Sequence, residues 1–298
     1  MNVSILEPQK TSVSSHRLRA WGLISALALT PLVSAAQGVS LASGFTDFTT
    51  WNRFGSALAD NQTPGNGFTY STLILTNPGI GGSAGAGFAP DALTLDFNQS
   101  FTFDFHFFIP AGPTARGDGL TFTLAGTPGV GNGGSGLGYK GLSADSLAIA
   151  VDTFNFDGEP VSPSLQVLQG GSVSPLAFTE TGIGDGIRDP NFQWLATVLY
   201  TPSGNDDETG VLEATIAPLT QPNNLGIFAV SAPVDLSGLG AVVQGGHAVF
   251  FGFTASSGLA DDGHFITSAM PTPIPLPAGL WLLSSALAGT GFFRRRRA

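Results

Sequence analysis

The chain has 298 residues, 42% of them hydrophobic and 11% charged, with 41 glycines, 20 prolines, no cysteine and a formal net charge of −10. No disulfide framework can hold it together, so stability must come from burial, and the length suffices for one sizeable domain. Between residues 41 and 270 the basic side chains are Arg53, Arg116, Lys140 and Arg188, against twenty carboxylates; such a surface cannot neutralise phosphates, which argues against nucleic acid and leaves divalent cations and neutral sugars as compatible partners.

In chain order, the first segment carries Arg17 and Arg19, then the apolar run AWGLISALALTPLV, then the small residues SAAQG. A basic flank, an apolar core too short to span a bilayer and a small-residue cut site predict a secretory signal peptide over residues 1–36, cut after Ala35 or Ala36. Strand signals follow: residues 72–77, 92–97, 100–109, 119–126, 146–154, 192–200, 211–217 and 247–257 are rich in β-branched and aromatic residues, with Gly/Pro/Asn/Asp clusters between them. In SFTFDFHFFI, Phe101, Phe103, Phe105 and Phe107 alternate with Thr102, Asp104 and His106, the period of a strand with one buried face. SLAIAV (146–151) is apolar almost throughout and predicts a central strand covered on both faces. Helical periodicity is nearly missing; DLSGLG (235–240) hints at one short turn.

Some eight to twelve strands in one block predict an all-β domain, a β-sandwich of two antiparallel sheets over residues 37–270. Residues 271–298 form a different unit. A Pro-rich stretch precedes a mostly apolar run from Leu276 to Phe293, and Arg294–Arg297 follow. At about 1.5 Å per residue, a helix there would cover most of a hydrocarbon core about 30 Å thick, with the arginines kept cytoplasmic. With Pro275-Leu276-Pro277-Ala278 ahead of it, this tail resembles the PEP-CTERM sorting signal, although the family's usual motif is Pro-Glu-Pro. The resemblance implies processing by an exosortase-type membrane enzyme and delivery to the cell surface or extracellular matrix. A plain transmembrane anchor is the alternative.

Four blocks of the middle domain, in register, resemble the L-type (legume-type) lectins: LTNPGIGGSAGAGF with SFTFDFHFFI, GDGLTFTLAGTPGVGNGGSGLGY, LAIAVDTFNFDGEP and VFFGFTASSGLADDGHFITS. The resemblance implies a concanavalin-like jelly-roll form of the sandwich and a carbohydrate-binding function, with a saccharide or exopolysaccharide as partner. It assigns Asp118 as the carboxylate that accepts sugar hydroxyls, on a cis Gly117–Asp118 bond. Gly134 and Gly136, in the Gly133–Gly136 loop, would let backbone approach the sugar. Asn155, Leu259 and Asp261 complete the implied site, with Leu259, Ala260, Asp261 and Asp262 forming its fourth loop. His264 matches a histidine of the family, with a structural role expected.

The resemblance also implies a calcium ion held by Asp152, the carbonyl of Phe154, Asn155 and Asp157. Glu159 is a further candidate, because the loop is shorter than the family's. Calcium takes six to eight oxygens, and carboxylates, amides and carbonyls are the groups that supply them. The family's transition-metal site uses a Glu where this chain has Ala150 and a His where it has Ser164, so no manganese is expected.

A glycoside hydrolase on the same kind of sandwich would need two carboxylates across a cleft. The domain's glutamates, Glu159, Glu180, Glu208 and Glu213, show no Glu-x-Asp-x-Glu pattern, and no enzyme activity is expected. The alternative to carbohydrate binding is a surface or matrix scaffold with the same fold and no working sugar or metal site.

Overall fold

The period-two alternation of residues 101–107 becomes the central wall of the core. In a computed structural model that describes residues 47–62, 70–189, 193–219 and 225–272, Phe101, Phe103, Phe105 and Phe107 are buried while Thr102, Asp104 and His106 are half-buried. Phe105 stacks on Phe122 with centroids 5.7 Å apart and meets Phe253 edge-on at 5.0 Å. Phe103 packs on Phe122 and Phe251, and Phe251 meets Trp51. Each such ring, fully buried, contributes about 1.5–3 kcal/mol from apolar transfer, and the edge and offset contacts add to that.

Sixteen strands are described. They are β1 (Asn52–Gly55), β2 (Leu58–Gln62), β3 (Tyr70–Thr76), β4 (Ala84–Phe88), β5 (Leu93–Leu95) and β6 (Phe101–Phe108). Next come β7 (Gly119–Ala125), β8 (Ser146–Asp152), β9 (Ser164–Gln169), β10 (Ala177–Glu180) and β11 (Trp194–Pro202). The last are β12 (Thr209–Pro218), β13 (Phe228–Asp235), β14 (Ala241–Val243), β15 (Gly246–Ser256) and β16 (His264–Thr272). One sheet runs β1-β4-β15-β7-β8-β9-β10, with β5 and β14 also on β15; the other runs β13-β12-β11-β6-β16-β3-β2. Every pairing is antiparallel, as in a jelly-roll sandwich. β8 lies between β7 and β9 with every residue buried, as its unbroken apolar run predicts.

The strand count exceeds the expected eight to twelve, and the difference has a physical origin in strands with weak side-chain signals. β4 reads AGAGF: a Cβ on Gly85 would lie 2.1 Å from the Leu75 carbonyl oxygen, so this strand passes where the other sheet's backbone leaves no room for a side chain. DLSGLG forms a turn closed by Leu239 N–H to Leu236 O (2.9 Å). The expected signal peptide, the Pro-Leu-Pro-Ala motif and the hydrophobic tail lie outside the described residues, among which no helix is long and apolar enough to cross a membrane.

Candidate functional site

Antiparallel pairing of β7 with β8 sets Gly119 opposite Asp152, so Asp118, one residue before β7, comes beside the end of β8. Thr153 N–H donates to Asp118 O at 2.9 Å and fixes that junction. β15 ends opposite the start of β7, with Ser256 paired to Gly119, which brings the loop after β15 over the same spot. A pocket of about 350 Å³ opens there, lined by Asp118, Gly133, Gly134, Ser135, Phe154, Phe156, Gly258, Leu259 and Ala260.

Asp118 is its polar focus. The residue is 5% exposed, and its Oδ2 is buried with no hydrogen-bond partner. Burial pushes the carboxyl above its ordinary value; the Gly258 backbone opposes the shift and Glu159 adds to it. A buried acceptor without a donor is costly, and a donor arriving from outside would relieve that cost. Two of the glycines around it are constrained, Gly258 by space and Gly134 by its backbone conformation. A Cβ on Gly258 would stand 3.0 Å from Asp118 Oδ2 and 3.4 Å from the Gly134 Cα, closing the gap above the carboxylate. Gly134 itself has φ +61°, in a short 3-10 turn (Gly134–Gly136) whose carbonyl accepts from Ser256 Oγ.

Of the residues assigned by resemblance, Asp118, Gly134 and Leu259 line the pocket. Gly136 does not: it is buried and donates its N–H to Gly133 O, closing the turn. Asn155 is exposed and also outside the pocket; its Oδ1 accepts from Ser162 Oγ at 3.5 Å. Asp261 points away, its Oδ1 accepting from Thr114 N–H (3.1 Å) and Thr114 Oγ1 (2.6 Å). Gly117–Asp118 is trans, against expectation. Gly117 donates its N–H to Asp262 Oδ2 at 2.9 Å and its carbonyl accepts from Thr153 Oγ1, so protein groups hold that peptide unit without the roughly 3–4 kcal/mol of a cis form. His264 is structural in its surroundings: fully buried, with Nδ1 2.7 Å from Thr76 Oγ1.

The residues assigned to calcium do not present a donor set for it. Asp152 Oδ1 accepts the Phe154 N–H (3.1 Å) and Oδ2 accepts the Gln166 amide (2.8 Å), so both oxygens face N–H dipoles whose positive ends would repel a cation. Asn155 and Asp157 are exposed. Glu159 caps the next turn, its Oε2 accepting the Phe156 N–H at 2.5 Å. Among the described residues no three His, Cys, Asp or Glu side chains gather as metal ligands. Burial first, then Glu159, pushes the Asp152 carboxyl up to about 8.

Three contributors lay beyond the resemblance. Phe156, 62% exposed, walls the pocket beside Phe154, which enters with its ring. Gln166 sits directly opposite Ala150 across β8 and β9, and it reaches both Asp152 and Ser164 Oγ (2.9 Å). Arg188 reaches Asp262 at 2.7 Å and holds the Gly112 and Thr114 carbonyls. A sequence signal existed for Arg188, one of only four basic residues in the domain, whereas Gln166 is placed opposite Ala150 only by the β8–β9 register.

No protein-family model matches this chain, and no curated protein does. Solved structures do. The metal-free form of lectin I-B4 from Griffonia simplicifolia superposes with a TM-score of 0.58 at 21% identity, over 76% of this chain and 95% of that one. Lectin II from Ulex europaeus gives 0.59 at 16% identity, over 76% and 96%. The lectin from Bauhinia forficata in complex with GalNAc gives 0.59 at 20%, over 77% and 96%. Identities this low speak to architecture alone, and on that they agree: the described domain has the legume-type lectin fold, a concanavalin-like sandwich of two antiparallel sheets.

Proposed function

We propose that this chain is an exported carbohydrate-binding protein of the cell surface or extracellular matrix, and that its ligand is a neutral saccharide or exopolysaccharide seated in the Asp118 pocket. The observation that carries this reading is the buried, partnerless Oδ2 of Asp118 facing a pocket of about 350 Å³. A carboxylate accepting hydroxyls makes charge-assisted hydrogen bonds, stronger than neutral ones. The Gly133–Gly134 and Gly258 backbone permits close approach, while Phe154, Phe156 and Leu259 offer apolar surface to the C–H face of a sugar ring. Among the described residues no basic side chain lines the pocket, which favours a neutral ligand over an anionic one. The Bauhinia forficata lectin, of the same fold, is seen with GalNAc.

Binding rather than hydrolysis fits the chemistry. Asp118 is the one carboxylate lining the pocket among the described residues, whereas a glycosidase flanks the scissile bond with two. Export by the N-terminal segment, and sorting of the tail by an exosortase-type enzyme with at least transient membrane contact, complete the proposal. They rest on Arg17–Ala36 and Pro275–Arg297 of the sequence.

A glycan array, extended with exopolysaccharide from the producing cells, tests the binding. The expected outcome is retention of wild type on a subset of neutral glycans and loss of it in Asp118→Asn. Silence on every surface would instead favour the scaffold reading. Intact-mass measurement of the protein recovered from the cell surface tests the sorting, with a mature chain lacking both ends expected.

A further inference from the structure

We infer that the loop carrying Asp118 is braced by this chain's own side chains in place of a divalent cation, with Arg188 and Asp262 as its positioning residues and Gln166 occupying the place beside Asp152. The inference rests on the carbohydrate-binding reading of Asp118 and deepens it, since it makes ligand binding independent of calcium and manganese. Two braces carry it, one on each side of the loop.

On one side, the two positions where the resemblance calls for transition-metal ligands are Ala150 and Ser164, and Gln166 joins them. Ala150 faces Gln166 and Asp152 faces Ser164 across the β8–β9 ladder. The Gln166 amide bridges the gap, donating to Asp152 Oδ2 (2.8 Å) and Ser164 Oγ (2.9 Å). The amide N–H satisfies that carboxyl oxygen and occupies the side from which a metal ion would approach it.

On the other side, Asp262 is fully buried and gathers the Asp118 loop. Its Oδ1 accepts from Gly112 N–H (2.8 Å) and from Arg188 Nη2 (2.7 Å), and its Oδ2 from Gly117 N–H (2.9 Å). Arg188 Nη2 also lies 3.1 Å from Gly112 O and 3.2 Å from Thr114 O. Asp261 holds Thr114, and Arg116 Nε donates to Thr153 O at 3.0 Å, tying the loop back to β8. One guanidinium nitrogen, Arg188 Nη2, lies within hydrogen-bond distance of the Asp262 carboxylate and of the Gly112 and Thr114 carbonyls, so it links the carboxylate to the backbone of the Asp118 loop.

The test combines a readout that needs no sugar with one that does. The full chain is stripped with EDTA and compared with samples supplied with CaCl2 or MnCl2. Hydrogen exchange is followed at the Gly112, Thr114 and Gly117 amides, and retention is measured on immobilised galactose, GalNAc and the glycans found on the array. Exchange that is unchanged by chelation, with glycan retention equal in both samples, is the expected result. Exchange at these amides that accelerates about ten-fold on chelation and recovers with calcium overturns the inference whatever happens with sugar. So does glycan retention lost in EDTA alone, and in that case the carbohydrate reading survives. No retention in any sample with exchange unchanged removes the carbohydrate reading and leaves the brace standing. Arg188→Lys keeps the charge beside Asp262 and loses the planar group whose Nη2 reaches Asp262 and the Gly112 and Thr114 carbonyls; it is expected to stay folded, exchange at Gly112 and Gly117 about ten-fold faster and hold glycans more weakly. Wild-type exchange in that variant would show that Arg188 positions nothing.

Discussion

Asp152, at the end of β8, and Asp262, in the loop after β15, stand on opposite sides of Asp118, and both are buried, at 4% and 0% exposure. Their surroundings treat them differently. Asp262 has the Arg188 guanidinium and two backbone N–H groups, so although burial works against its charge, a full set of donors works for it. Asp152 has one amide and one backbone N–H, with Glu159 and Asp118 nearby, and its carboxyl is pushed up to about 8. Burial raises both carboxyls; in Asp262 the two backbone N–H groups and Arg188 oppose the rise, whereas Asp152, with a value of about 8, favours its neutral form at neutral pH within a hydrogen-bonded ladder. In a domain with four basic residues, a cation stands beside the carboxyl that gathers the loop, while Asp152 is met only by uncharged N–H donors.

That contrast orders the expected costs of substitution. Arg188→Ala leaves Asp262 buried and without a counter-charge, which is expected to cost about 3–5 kcal/mol, read as a lowered denaturant midpoint. Gln166→Leu removes one hydrogen bond from an acid that is already neutral, for about 1–3 kcal/mol. Should the Gln166 variant prove the more damaging, Asp152 would have to be the charged one, and the comparison would be reversed.

Acidity sharpens it further. Asp152, with a folded-state value of about 8 against an ordinary 3.8, binds a proton in the folded chain that the unfolded chain lacks. Its contribution to stability is therefore present below 3.8 and lost as pH rises toward 8. His264, pulled down by burial to about 3 from 6.5, works in the opposite sense: its contribution is present above 6.5 and lost as pH falls. From pH 8 down to 6.5 Asp152 is expected to raise stability by up to about 1.4 kcal/mol per unit, and the raised carboxyls of Asp118 and Asp262 act in the same direction. Between 6.5 and 3.8 Asp152 and His264 nearly cancel, and below that His264 makes stability fall. Melting temperature against pH checks this, and Asp152→Asn should flatten the limb above 6.5 and make stability fall from 6.5 downward, because Asp152 then no longer offsets His264.

How much of this was legible in the sequence follows from what each residue is for. Residues 101–107 and 146–151 could be read because their pattern is the burial pattern itself, apolar side chains meeting a core. β4 could not, because AGAGF is shaped by the backbone of β3 passing close by, a partner the local sequence does not encode. Asp118, Gly134 and Leu259 could be singled out in the sequence, and they line one pocket, because acceptor, close approach and exposed loop are each requirements on residue type. The brace was hidden for a different reason. Gln166, Arg188 and Asp262 come from separate elements, and only the β8–β9 register and the path of the loop after β15 bring each to its partner. The resemblance supplied the question, through Ala150 and Ser164, and the fold supplied an answer from residues without a motif.

The smallest expected effect on stability lies on the pocket wall, where the contrast between braced and unbraced residues is sharpest. Phe156 is 62% exposed and Leu259 is wholly exposed, so neither holds the core. Phe156→Ala is expected to change stability by less than about 0.5 kcal/mol, as surface substitutions usually do. Its ring nevertheless lines the pocket beside Asp118, where the C–H face of a bound sugar would lie against it. Losing an aromatic contact of about 0.5–1.5 kcal/mol corresponds to roughly two- to ten-fold weaker glycan retention. Titration of wild type and Phe156→Ala on the best glycan of the array, beside their melting curves, measures both. Unchanged retention would place the sugar away from this wall, and a large loss of stability would mean that Phe156 belongs with Arg188 and Asp262 in holding the loop.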